Sequence, residues 1–261
     1  MSRRVLFTGL LALFVSCAAV GADDVPPPPM TPAVTGEVAP ADEVNPFEDD
    51  FIDETDFSIV ADPIEPFNRA MFWFNDKLYF YFLKPIARVY RVVPEDIRIS
   101  VANFFSNLSA PVRVINAGFQ AKFTDAGNEM ARFIINSTVG VAGLFDPARK
   151  FAGITEKDED FGQTLGTYGA GPGFYIVLPF FGPSSLRDAT GLIVDINMSP
   201  IYNYYSNEGK VGELVVLKGV DVINSLSLDK DTYEGIKRDA LDPYQFLRDA
   251  YIQNREGKIR K

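Results

Sequence analysis

The segment after Asp62 carries apolar residues at helical spacing on two opposite faces instead of one. At about 100° per residue, the first stripe contains Phe67, Met71, Phe74, Leu78, Tyr81 and Phe82. The second contains Phe72, Tyr79, Phe80 and Leu83, with Trp73 at its edge. A surface helix of a soluble protein needs only one apolar stripe. Two stripes indicate protein on both sides, or protein on one side and lipid on the other. The candidate lipid-facing residues are Phe67, Met71, Phe72, Trp73 and Phe74.

Narrow polar seams separate the two stripes. Asn68 and Asn75 form one seam, and Lys77 and Lys84 form the other, each pair seven residues apart. A seven-residue spacing returns a side chain to nearly the same face of a helix. We therefore list Asn68, Asn75 and Lys84 as candidates for lining an aqueous path beside the apolar stripes.

Cap signals predict where this helix and the later ones begin and end. Asp62, Pro63 and Glu65 have the order of an N-cap, a first-turn proline and a capping-box acid. We expect the helix to end before Pro85, because the residue before a proline avoids helical geometry. Further helices are predicted over residues 94–105, 111–119, 124–134, 184–192, 211–226 and 243–255. The predicted fold class is therefore mainly α.

The stretch 161–183 differs because glycines and prolines recur around a short apolar run. It predicts a small hairpin-like excursion that turns between Gly169 and Gly173. Gly169, Gly171 and Gly173 are candidates for a flexible gate, although turn geometry alone also explains them. The stretch does not match a phosphate-binding loop, since Pro172 lacks an N–H and no Lys-Ser/Thr pair follows.

The N-terminus predicts export and lipidation. Residues 1–16 combine two arginines, a short apolar core and small residues, which is typical of a signal peptide. The only cysteine, Cys17, follows directly and predicts a bacterial lipoprotein anchor, with Phe14 in place of the usual leucine. Ordinary cleavage after Ala22 is the alternative. Ala18, not Asp, follows the cysteine and indicates the outer membrane. Residues 17–61 predict a disordered, proline-rich acidic tether.

Composition excludes several kinds of chemistry. The chain has no histidine and one cysteine, which removes Ser-His-Asp, Cys-His and thiolate or imidazole metal sites. Residues 1–62 contain twelve acidic residues and two arginines and so account for the whole net charge of −10. The remaining chain is neutral, which disfavours nucleic-acid binding. We expect no enzyme activity, no cofactor and no metal.

Charged residues inside apolar motifs are the remaining site candidates. Lys84, Arg132, Arg187 and Asp188 are possible channel-lining groups, and structural ion pairing or helix capping is the alternative for each. A loop at 156–160 holds Glu156, Asp158, Glu159 and Asp160. These could be offered as carboxylates of a cell-wall or lipid hydrolase, but a run of charges in a loop is usually solvated.

Several motifs in order resemble one known family. They are DPIEPFNRAMF at 62–72, NFFSNL at 103–108, RFIINSTVG at 132–140, FGQTLG at 161–166, LPFFGPS at 178–184 and DPY at 242–244. The set resembles the MlaA (VacJ) family of outer-membrane lipoproteins. The resemblance covers residues 62–255 without large gaps and leaves 256–261 as a basic tail.

The resemblance implies a ring-like, multi-helix single domain in the periplasmic leaflet of the outer membrane. Members of the family remove mislocalised phospholipids from the outer leaflet through an amphipathic channel and are not hydrolases. The implied partners are phospholipids, a periplasmic lipid carrier of the Mla type and trimeric porins. A porin-associated structural lipoprotein without transport activity shares every one of these sequence features and stays open as the alternative.

Overall fold

The computed structural model describes residues 60–261. The predicted signal peptide, Cys17 and all but the end of the acidic tether lie outside the described residues. The helices are α1 (Glu65–Leu78), a π-helical segment (Tyr79–Leu83), α2 (Lys84–Tyr90), α3 (Glu95–Phe119), α4 (Phe123–Thr138), α5 (Pro147–Ala152), α6 (Phe161–Thr167), α7 (Leu186–Met198), α8 (Pro200–Asn207), α9 (Val211–Leu228), α10 (Thr232–Asp239) and α11 (Pro243–Arg260). Two strands, β1 (Tyr175–Leu178) and β2 (Gly182–Ser185), lie between α6 and α7. The predicted mainly α fold with a small hairpin is confirmed.

The contacts between these elements close into a ring. Helix α1 packs on both strands of the hairpin, and β2 packs on α7 and α11. Helices α7 and α11 pack on α6, which in turn packs on α3. Helix α3 then packs on α9, α9 on α2, and α2 returns to α1 through the π-helical segment. Helix α4 packs on α3, and α5 packs on α4.

Both ends of the first predicted helix differ from the structure. Helix α1 begins at Glu65, and the side chain of Asp62 does not cap it. Asp62 accepts hydrogen bonds from Asn68 Nδ2, at 2.7 Å, and from the hydroxyl of Tyr244. Pro85 also does not end the helix. The π-helical turn changes the hydrogen-bond register just before it, with the Lys84 N–H bonded to the Tyr79 carbonyl, so the chain continues as α2.

The predicted break at Pro111 is wrong as well, since α3 runs unbroken through it. A proline removes only one backbone hydrogen bond directly. Packing of α3 against α4, α6 and α9 offsets that loss. At the other end of the chain, α11 continues to Arg260, so most of the predicted basic tail is helical. Asp242 caps α11 as predicted, accepting from the N–H groups of Tyr244 and Gln245.

The hairpin turns later than predicted. Strands β1 and β2 pair antiparallel with Leu178 opposite Gly182, so the turn lies at residues 179–181. Gly169, Gly171 and Gly173 belong to the loop between α6 and β1. Gly169 and Gly173 have φ of +85° and +73°, which glycine adopts without strain. The first half of the predicted excursion instead forms α6, because Asp160 accepts from the Gln163 N–H and caps a helix there.

Candidate functional site

Polar and apolar side chains are distributed in an unusual way across the ring. Many buried residues are charged or carry amides, including Asp76, Arg98, Arg113, Asn116, Glu129, Arg132, Asn136 and Asn224. Many large apolar residues are exposed, including Phe82, Val89, Phe123, Val139 and Phe151. Exposed apolar surface of this extent indicates an interaction with protein or membrane. In the described part of the chain, no helix is both long and apolar enough to cross a bilayer.

The five candidate lipid-facing residues divide between the two sides of α1. Phe67 and Trp73 are exposed, the latter by 61%. Met71 and Phe72 pack against the buried cluster of Val60, Tyr175, Val177 and Tyr244. Phe74 meets Phe180 of the hairpin edge-to-face, with ring centroids 5.1 Å apart. The hairpin and α11 therefore cover residues of both predicted stripes, Met71 and Phe74 of the first and Phe72 of the second. Phe67, also of the first stripe, stays exposed.

Exposed large apolar residues continue from Trp73 through the π-helical segment into α2. Tyr81 and Phe82 project from the π-helical segment, and Ile86 and Val89 from α2. Lys77 lies 5.9 Å from the ring centroid of Trp73 and 5.8 Å from that of Tyr81. Aromatic rings with a cation beside them are the composition that favours a lipid interface.

The seam of Asn68 and Asn75 binds the backbone of β1 and of the turn that follows it. Asn68 is fully buried; its Nδ2 donates to the Tyr175 carbonyl at 3.0 Å, and its Oδ1 accepts from the Val177 N–H at 2.8 Å. Asn75 Nδ2 donates to the Leu178 carbonyl at 2.9 Å, and its Oδ1 accepts from the Phe180 N–H at 2.7 Å. Each amide thus satisfies one carbonyl and the N–H two residues later.

Lys84 belongs to a second group of charges, between the π-helical segment and α10. Its ammonium is paired with Glu234 and lies 3.2 Å from Asp231 Oδ1. Burial, with the charges of Asp229 and Asp231, raises the pKa of the neighbouring Tyr79 to about 12. Lys84 also borders a shallow cleft lined by Tyr79, Lys84, Ala87, Arg88, Arg91, Leu226 and Asp231.

Arg132 is buried in a third group, which fixes the loop after α5. Its Nη1 donates to the Ile154 carbonyl at 2.5 Å, and its Nη2 to Asp146 at 3.1 Å. Asn136 donates to the same carboxylate, which also caps α5. The pKa of Asp146 is below its usual value, because these hydrogen bonds and the charge of Arg132 outweigh the effect of burial. Arg132 therefore acts as a structural anchor in this arrangement.

Arg187 and Asp188 meet in a fourth group, around Arg255 of α11. Asp188 accepts from Arg255 Nη2 at 2.8 Å and from the Tyr251 hydroxyl at 2.5 Å. Arg187 Nε donates to the same carboxylate at 3.0 Å. Burial raises the pKa of Asp188, but Arg255, Arg187 and Tyr251 outweigh it and lower the pKa to about 2. Asp160 also binds Arg255, so α6, α7 and α11 are held together by one guanidinium.

The remaining loop carboxylates are paired with cations. Glu156 lies 3.1 Å from Arg113 Nη1, and Asp158 lies 2.7 Å from Lys258 Nζ. Glu159 lies 3.0 Å from Lys122. Across residues 60–261, no group of three potential ligands is placed to hold a metal ion.

Two important residues were missed in the sequence. Arg255 organises the fourth group, and Asp195 of α7 is a half-buried carboxylate between α3 and α6. Asp195 accepts from Asn116 Nδ2 at 2.7 Å and from the Phe161 N–H at 3.0 Å. Its position seven residues after Asp188, between the apolar residues Val194 and Ile196, is the signal that could have identified it.

Comparison with known proteins decides the family. The family model described as MlaA lipoprotein matches residues 60–258. The chain belongs to the MlaA lipoprotein family. The intermembrane phospholipid transport system lipoprotein MlaA of Escherichia coli (strain K12) is 34% identical and that of Haemophilus influenzae 33% identical. These matches cover 75% and 76% of this chain and 77% and 79% of the two relatives. A Rickettsia bellii protein is 36% identical over 77% of each chain.

A solved structure supports the same assignment. It comes from a study of the structural basis for maintenance of bacterial outer membrane lipid asymmetry. The TM-score is 0.64 at 34% sequence identity, and the match covers 76% of this chain and 99% of the other. The resemblance read from the ordered motifs is confirmed.

Proposed function

We propose that this MlaA family member is an outer-membrane lipoprotein that removes mislocalised phospholipids from the outer leaflet and thereby maintains lipid asymmetry. The names of the Escherichia coli and Haemophilus influenzae relatives support intermembrane phospholipid transport. The single structural observation that carries the proposal is the ring of helices with buried polar groups and exposed apolar ones.

A phospholipid that crosses a leaflet needs a polar path for its headgroup and an apolar path for its acyl chains, because a charged group in hydrocarbon costs several kcal/mol. Among the candidate channel residues, Lys84, Arg187 and Asp188 border clefts. We assign these three to the headgroup path. Asn68, Asn75 and Arg132 are assigned to its walls, since their polar groups bind neighbouring backbone.

The anchor and the partners follow from the same proposal. Cys17 carries the lipid anchor, and the tether lets the domain sit in the periplasmic leaflet of the outer membrane. Phospholipids leaving the domain pass to a periplasmic carrier of the Mla type, and trimeric porins are the proposed neighbours in the membrane. The protein is proposed to act without catalysis, since the chain has no histidine and the candidate loop carboxylates are engaged by cations.

The alternative, a porin-associated lipoprotein without transport, is less favoured because the named relatives are transport proteins. Deletion of this protein separates the two functions. We expect phospholipid to accumulate in the outer leaflet, measured by labelling surface-exposed phosphatidylethanolamine with an impermeant amine reagent. Restoring the gene should reverse the effect. An unchanged outer leaflet in the deletion strain would contradict transport and favour the scaffold.

A further inference from the structure

Side chains of α1 bind the edge of β1 that does not pair with β2. Within residues 60–261, β1 pairs only with β2. Its other edge faces α1, where the Asn68 and Asn75 amides each bridge a carbonyl and the N–H two residues on. The Tyr175 N–H donates to the Ala61 carbonyl at the start of the seam. Edge strands normally need such protection against unwanted pairing.

The spacing of the two amides matches the geometry of both elements. Seven helical residues rise about 10.5 Å, and three strand residues rise about 10 Å. The atoms bound by Asn75 lie three residues after those bound by Asn68. The two asparagines therefore make the same kind of bidentate contact one after the other, Asn68 within β1 and Asn75 at the end of β1 and in the turn after it.

The two ends of this seam differ in burial. Asn68 is fully buried beside the cluster of Val60, Tyr175, Val177 and Tyr244. Asn75 is only half-buried, and its partner Phe180 is exposed at the hairpin turn. Phe180 also has φ of +70°, a strained conformation for a residue with a side chain. The Asn75 side chain and the Phe74 ring hold this strained turn in place.

We propose that the hairpin turn, residues 179–181, is a latch on α1. It swings away from Asn75 and Phe74 about a hinge at Asn68 and opens the ring for passage of acyl chains. The β1–β2 ladder stays formed during the motion, while the hydrogen bonds of Asn75 and the ring contact between Phe74 and Phe180 break. Release uncovers the apolar faces of Phe74 and Phe180 next to the exposed Trp73. This inference rests on the proposed function and adds the place where the ring opens.

A crosslink across the seam tests the latch. Phe74→Cys/Phe180→Cys, in a Cys17→Ser background, is joined with a short bis-maleimide in full-length protein reconstituted in phosphatidylethanolamine–phosphatidylglycerol vesicles. The probe is NBD-labelled phosphatidylethanolamine, whose movement between leaflets is followed by dithionite quenching. We expect the crosslink to slow movement about tenfold or more relative to the same variant without crosslinker.

The matched control joins another aromatic pair of the ring. Phe119 of α3 and Phe161 of α6 also meet edge-to-face, with centroids 6.4 Å apart. Crosslinked Phe119→Cys/Phe161→Cys should move lipid at the rate of its uncrosslinked form. An unchanged rate after the Phe74–Phe180 crosslink, or equal slowing by the control crosslink, would overturn the latch. Failure of every uncrosslinked protein to move the probe would overturn the proposed function instead.

Amide hydrogen exchange tests the latch independently of lipid transport. The Phe180 N–H should exchange about tenfold faster than the Val177 N–H, because only the former opens with the turn. Asn75→Ala should speed exchange at Phe180 and leave Val177 protected, whereas Asn68→Ala should expose both. Equal protection of Phe180 and Val177 in the unaltered protein would show a fixed seam and overturn the proposal.

Discussion

At the scale of single residues, Asp195 is a carboxylate whose surroundings disfavour its charged form. Burial raises its pKa to about 6, aided by the charge of Asp160 and opposed by the Phe161 N–H, Asn116 and Arg255. The folded protein therefore holds this proton more tightly than the unfolded chain. Stability contributed at Asp195 is present below pH 4 and is lost as the pH rises from about 4 to about 6.

The expected size of this loss is about 3 kcal/mol, at about 1.4 kcal/mol per pKa unit. Asp195→Asn removes the titration, so the difference in unfolding free energy between wild type and variant should change across this range. Urea unfolding in detergent at pH 4, 5, 6 and 7 measures it. Parallel curves for the two proteins would show that Asp195 titrates normally.

At the scale of secondary-structure elements, the contact between α6 and α7 depends on two facing glycines. A Cβ at Gly191 would lie 2.4 Å from the backbone nitrogen of Gly162 and 2.8 Å from its Cα. Backbone cannot yield as a flexible side chain does, so Gly191→Ala should force the helices apart and cost about 1–3 kcal/mol. Such a shift would also disturb Asp188 and its bonds to Arg255.

The control for this prediction is Gly219→Ala in α9, where the added methyl group meets open space. There the substitution should stabilise by about 0.5–1 kcal/mol, because alanine favours helix over glycine. Thermal unfolding in detergent compares the two variants. Equal melting temperatures for Gly191→Ala and wild type would mean that the helices separate at little cost.

At the scale of the whole molecule, the exposed apolar surface should bind membrane without the lipid anchor. Trp73 is the only tryptophan in the chain and lies on this surface, so its fluorescence reports on it directly. In Cys17→Ser protein, vesicles with brominated acyl chains should quench Trp73, and iodide in the water should not. The comparison variant moves the tryptophan, with Trp73→Phe and Leu241→Trp.

Leu241 is fully exposed near the charged pair Arg238 and Asp239, where we expect contact with water. A tryptophan there should respond to iodide and resist the brominated lipid. If iodide alone quenches the tryptophan at both positions, the exposed apolar face of α1 is a surface for protein and not for lipid.

Local sequence patterns predicted where the longer helices lie better than they predicted how packing changes the ends of those helices. The caps at Asp242 and the amphipathic pattern of α9 led to helices close to those observed. The helix end predicted at Pro85 and the break predicted at Pro111 were wrong. A proline costs one local backbone hydrogen bond, and a π-helical turn or packing against neighbouring helices can offset that loss. The short helices α5, α6, α8 and α10 were missed, since they carry too few residues for a clear period.

The sequence by itself determined that the chain is mainly helical, that its first helix has two apolar stripes, and that its ordered motifs are those of one family. Tertiary structure decided which residues of the two stripes are covered. The hairpin and α11 pack on Met71 and Phe72, and leave Trp73 outside. It also decided that the amides of Asn68 and Asn75 bind the backbone of β1 and its turn. Periodicity reports only which residues share a face, whereas the partner of that face comes from elements more than a hundred residues away.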